Sequence, residues 1–346
     1  SQPQASRSAG KKVVLVTLGG IRRAESFSES GIAYVPHLFH DLLPHALFYP
    51  YVLNEGVTAH VNTIASILTG VWQRLDDWGR QETGEPTLFK YLQKQSRMSS
   101  ADTWVVTSNK AVTRKIGAGA NVVLAKQLMI EAVERIILGY SSRDRLEREA
   151  VLAEMETVML GEHERVGWSL PSYGASVREA LVAGLTTFIR GPGYSTDGDE
   201  LTFVMAREIL QRVTPALMVI NFSGMEIAHS GAYSLHIAGI RNVDSLCYRL
   251  WQYLQSNSDY AGRTTLVVMP EFGRDPDGSS TNGFFNHRSD TNSCRLSWMM
   301  MLGQAVRKPA VVERVIRHID VAPSLGALLG VACNQAMGRQ LAEFAI

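Results

Sequence analysis

A doubly wound, mostly parallel α/β sheet with helices on both faces is the fold this sequence predicts. Two observations predict it. Short apolar, β-branched runs recur along the chain, and amphipathic helical patterns separate them. The first run, KKVVLVTLGG (11–20), is continuous and ends in two glycines, the usual signature of a strand buried on both faces. Runs at 103–108 (TWVVTS), 216–222 (ALMVINF), 264–269 (TTLVVM) and 296–302 (LSWMMML) read the same way. Helical patterns lie at 86–95, 125–140, 143–160, 199–213, 238–255 and 312–330. Asp199 is the expected N-cap of the fourth pattern, and Ile240, Val243, Leu246 and Leu250 give the fifth its apolar stripe. The charged stretch at about 141–168 reads as a helical insertion within one domain spanning 13–346. In such sheets a site forms where strands end at their carboxyl edges. The turns after Thr17, Phe222 and Met269 are therefore the ones to inspect.

Composition narrows the function classes. The chain has 346 residues, 45% hydrophobic and 19% charged, with a formal net charge of +1. That size supports a large core without staples. The charge gives no electrostatic footprint for nucleic acid or a membrane surface. No apolar run approaches the ~20 residues of a membrane span. Cys247, Cys294 and Cys333 are widely spaced and read as buried small hydrophobes. The polar start, SQPQASRSAGKK, reads as a flexible leader over 1–12 and suggests a periplasmic or secreted protein.

The strand ends carry the chemistry. Taken in order, VVLVTLGGIRRAESF (13–27), TAHVNTIASILTGVW (58–72), INFSGMEIAHSGAYSLHIAGI (220–240), TTLVVMPEFGRD (264–275) with NGFFNHR (282–288), and RHIDVAPSLGALLG (317–330) form a series of motifs. Their order and spacing resemble the alkaline phosphatase superfamily, which includes phosphatases, sulfatases, phosphodiesterases and cofactor-independent phosphoglycerate mutases. The resemblance runs from 13 to about 330. It implies two adjacent metal ions. One is held by an Asp and two His. The other is held by an opening Asp, the nucleophile and an Asp-His pair.

Carried onto this chain residue by residue, the pattern is broken. The opening Asp position is Gly19, the nucleophile position is His60 with Thr58 two residues away, and the Asp-His pair is Glu271-Phe272. The second metal is therefore not expected to be held in the family's manner. The first fares better, because His229 and His287 stand at the two histidine positions. Met225 replaces the Asp, but Glu226 follows it and shares a helical face with His229 at i, i+3. Glu226, His229 and His287 are thus the candidate ligands for one divalent metal (zinc, manganese or iron), with Glu271 as a possible fourth.

Two functions follow from the resemblance. The favoured one is a non-catalytic relative, retained as a structural or binding subunit with a protein partner. The alternative is a divergent single-metal hydrolase of small phosphate or sulfate esters. There His60, Thr58 and Glu271 are the candidate catalytic groups, Glu271 as a base, and Arg274 and Arg288 would bind the oxyanion. Asp275 and Asp277 have the i, i+2 spacing of a calcium loop, which an Asp-Pro-Asp-Gly turn explains without a metal.

Overall fold

The computed structural model describes residues 10–125 and 198–344, apart from 78–79, 97, 110–111, 113–115 and 279–282, together with a few positions within 179–187. The expected insertion at 141–168, the helical patterns at 125–140 (beyond Ala125) and 143–160, and residues 1–9 of the leader lie outside the described residues.

The strands are β1 (Lys12–Leu18), β2 (Leu47–Leu53), β3 (Thr103–Thr107), β4 (Asn121–Leu124), β5 (Leu217–Phe222), β6 (Thr264–Pro270), β7 (Leu296–Gly303), β8 (Ala310–Val311) and β9 (Ile316–Arg317). They form one sheet in the order β4-β3-β5-β1-β6-β7-β2-β8, with β9 also paired to β2. Among the described strands only β7 runs against the rest, antiparallel to both β6 and β2. The mostly parallel sheet is as the sequence predicts. Side chains on β1 alternate in the way a strand requires. Val14, Val16 and Leu18 pack into one core, and Val13 and Leu15 into the other. The first core is closed by α3 (Gly198–Val213) and α4 (Tyr233–Ser256). The second is closed by α1 (His60–Thr69), α2 (Leu88–Ser96) and α5 (Val321–Leu328). No described helix is long and apolar enough to cross a membrane.

Two local expectations are corrected. The pattern at 312–330 is not one helix, because Ile316–Arg317 pairs with β2 and the helix starts at Val321. Pro323 explains the start, since a proline without an N–H is tolerated in the first turn of a helix but not in its interior. Asp199 is not an N-cap but sits within α3, where its carboxylate accepts the Ser223 and Gly224 N–H groups at 2.8 and 2.7 Å. It thereby ties α3 to the turn after β5. Finally, β2, β4, β8 and β9 complete the sheet without standing out in the sequence. In β2, Pro50 interrupts the apolar run and the register shifts between Tyr49 and Val52.

A candidate metal centre at the sheet edge

Three central strands, β5, β1 and β6, end side by side and deliver the site. From β1 come Gly19 and Gly20, from β5 the 3-10 turn Gly224–Ser230, and from β6 the run Glu271 to Arg274. The 3-10 turn places Glu226 and His229 on one face, as their spacing predicts. His60 enters at the first residue of α1, and His287 enters from the loop after β6.

These four residues converge. One ligand atom from each of His60, Glu226, His229 and His287 lies within 4.8 Å of all the others. Glu226 Oε2 is at the centre, 3.1 Å from His229 Nε2, 3.3 Å from His60 Nε2 and 3.8 Å from His287 Nε2. The two nitrogens His229 Nε2 and His287 Nε2 are 3.1 Å apart. His287 is buried, whereas the His229 side chain is 46% exposed.

Outer groups fix the rings. His60 Nδ1 is 2.7 Å from Glu271 Oε2, and His287 Nδ1 donates to the Thr58 carbonyl at 2.7 Å. Each contact turns Nε2 toward the cluster, the carboxylate–imidazole or carbonyl–imidazole arrangement common behind metal ligands. Glu271 is buried and spans strands. Its Oε1 accepts the Asn221 amide at 2.7 Å, which also donates to Thr17 Oγ1 at 3.0 Å, while Thr107 Oγ1 donates to Asn221 Oδ1 at 2.9 Å. Asn221 was missed in the sequence. Its signal was a lone amide inside the apolar run ALMVINF.

The remaining candidates have other employment. Thr58 donates its hydroxyl to the His287 carbonyl and so braces a cluster residue. Arg274 is fully buried with Nη2 2.6 Å from Glu226 Oε2. Arg288 is half-exposed at the surface and pairs with Asp77 at 2.7 Å. Asp277 pairs with Arg22 at 2.9 Å, and the Asp275 carboxylate accepts the Ser289 N–H at 2.9 Å. The Phe272 ring stacks on His287 with centroids 4.3 Å apart and lies 5.1 Å from His60. An apolar wall thus stands where the resemblance implies a ligand.

Gly19 has a specific reason to be glycine. A Cβ there would sit 2.6 Å from Glu226 Oε1 and 2.7 Å from Met225 Sδ. The carboxylate of Glu226 occupies the space that a side chain at position 19 would need. It is held there by the Gly20 N–H, which donates to Oε1 at 2.6 Å.

Charge follows from this packing. Burial opposes a charge on His60, but Glu226 and Glu271 outweigh it and push the imidazolium up to about 10. Burial also opposes charge on Glu226, yet Arg274 and His60 hold its carboxyl well below the usual range. Burial is the main cause that raises Glu271 and lowers His287, the latter to about 4. Glu226 is therefore a carboxylate lying between the Arg274 guanidinium and the His60 imidazolium. Metal binding would release the His60 proton.

The residues fit one divalent cation. Three imidazole nitrogens and one carboxylate oxygen suit zinc, and Glu226 Oε2, though buried, makes no aligned hydrogen bond. Among the described residues no second group of donors stands beside this one. Gly19 offers no side chain, Phe272 offers a ring, and Glu271 is engaged by His60 and Asn221. When bound, a cation at this point would supply Lewis acidity and would cross-link β5, α1 and the loop after β6.

The fold is that of the alkaline phosphatase superfamily. A superfamily protein from Vibrio parahaemolyticus aligns with TM-score 0.60 and 14% identity, covering 96% of this chain and 69% of that one. The wild-type alkaline phosphatase PafA aligns with TM-score 0.61 and 10% identity, covering 98% and 99% of the two chains. BT4656, solved with D-glucosamine-2-N,6-O-disulfate, aligns with TM-score 0.53 and 12% identity over 96% and 79%. No protein-family model matches the sequence, and no protein of curated function does.

Proposed function

We propose that this chain is a non-hydrolytic relative of the superfamily's enzymes, a structural or binding subunit that holds one metal ion at its sheet edge. The observation that carries this reading is the place of His60. By the resemblance it takes the position of the nucleophile, but its ring is held between Glu271 and Glu226 and its Nε2 joins His229 and His287. Four side-chain donors make the complement of a closed structural metal site, whereas catalytic sites keep a position open. The Thr58 hydroxyl is taken by the His287 carbonyl, so neither sequence candidate presents a nucleophile.

One observation favours the alternative of a single-metal ester hydrolase. His229 is nearly half-exposed, which leaves one side of the cluster open to solvent. Assays separate the two readings. Purified protein supplied with zinc, manganese or iron is expected to turn over neither aryl phosphate nor aryl sulfate esters above a protein-free blank. Turnover that disappears in His229→Ala would overturn the non-hydrolytic reading.

A further inference from the structure

We infer that Arg274 regulates this centre by competing with the metal for Glu226, an inference that rests on the metal-binding reading above. Arg274 is fully buried. Its Nε donates to the Gly20 carbonyl at 2.8 Å and its Nη1 to the Phe284 carbonyl at 3.1 Å. A guanidinium anchored at two points keeps its place, and it does not give up its proton. Glu226 is equally fixed, with Oε1 on the Gly20 N–H. The oxygen left to coordinate a metal, Oε2, is therefore also the oxygen that neutralises Arg274, 2.6 Å away. Neither Glu226 Oε2 nor Arg274 Nη2 makes an aligned hydrogen bond, so the pair is held by charge alone.

Charge balance gives the consequence. Glu226 and Glu271 supply at most two negative charges, and Arg274 returns one positive. A divalent ion among neutral imidazoles then leaves the centre with an excess positive charge, which weakens binding. Without the metal, Arg274 keeps Glu226 neutralised and the strand ends together. The device weakens the centre's hold on its metal and keeps the metal-free strand ends in place.

The test measures zinc affinity by competition with a chelator and, separately, the thermal midpoint of the metal-free protein. Arg274→Met is expected to bind zinc at least about tenfold more tightly, the scale on which groups behind the ligands act, while its metal-free midpoint falls. Arg274→Lys keeps the charge and is expected to stay within about threefold of wild type in zinc affinity. A merely structural arginine would lower both stability and affinity on removal. Unchanged or weaker zinc binding by Arg274→Met therefore overturns the inference. If that variant does not fold, the ¹⁵N resonance of the Arg274 guanidinium in the wild-type protein decides. It shifts on zinc addition if Glu226 is shared, and a resonance that stays put while zinc binds overturns the proposal. Wild-type protein that binds no zinc would instead sink the metal-binding reading itself.

Discussion

Glu226→Leu is expected to cost about 3–5 kcal/mol of stability in the metal-free protein, the range for removing one partner of a buried ion pair. The cause is Arg274. Its side chain has no exposure, and among the described residues its Nη2 faces the Glu226 carboxylate, while Nε and Nη1 are spent on the Gly20 and Phe284 carbonyls. Removing the carboxylate leaves a cation that can neither reach water nor lose its proton. His60 loses its partner at Nε2 as well, although Glu271 still faces its Nδ1. The double variant Glu226→Leu, Arg274→Met removes both charges and is expected to recover a large part of the loss, because a buried pair replaced together is often near neutral. Denaturant unfolding of the three proteins checks this. Equal stability of the double variant and Glu226→Leu would show that the carboxylate matters for packing and not for Arg274.

Gly19→Asp is the second large effect. It places the carboxylate that the superfamily resemblance implies at the end of β1, and the prediction is that this restoration harms the protein. The new Cβ would be 2.6 Å from Glu226 Oε1 and 2.7 Å from Met225 Sδ. Glu226 has no room to retreat, being held by Gly20 and Arg274. Overpacking of this kind costs about 1–3 kcal/mol, and a second carboxylate beside the first adds repulsion. In a Glu226→Ala background the same substitution is expected to cost less, because the contact with Glu226 is then gone while the one with the flexible Met225 Sδ remains. A cycle of the four proteins by thermal unfolding reads the coupling. Additive losses would mean that Glu226 does not occupy the place of the missing side chain.

Most of the sheet was legible because its central strands are buried on both faces and announce themselves as apolar runs. β2 was not legible, since Pro50 and the register shift break its pattern. The last helix is shorter than its pattern predicts because apolar residues at helical spacing continue through the 3-10 turn His318–Asp320 and short strand β9. At the site, the i, i+3 spacing of Glu226 and His229 carried real geometric information. Spacing cannot show what meets across strands. Asn221 reaches Glu271 and Thr17 only because β5 and β1 run parallel with Asn221 beside Thr17. Arg274 and Arg288 looked alike in sequence as oxyanion binders. One lies buried against Glu226 and the other sits at the surface with Asp77, a difference that packing alone decides. His60 likewise reads as a failed nucleophile along the chain and as a fourth donor in space.

The central claim is that His60, Glu226, His229 and His287 form one metal centre and that no second ion binds. Elemental analysis of protein purified without chelator tests it most directly, with His229→Ala and His60→Ala as companions. The account predicts about one equivalent of zinc, manganese or iron per chain, lost or strongly reduced in both variants. Two equivalents, one equivalent that persists in His229→Ala, or no metal at all after incubation with zinc would contradict it.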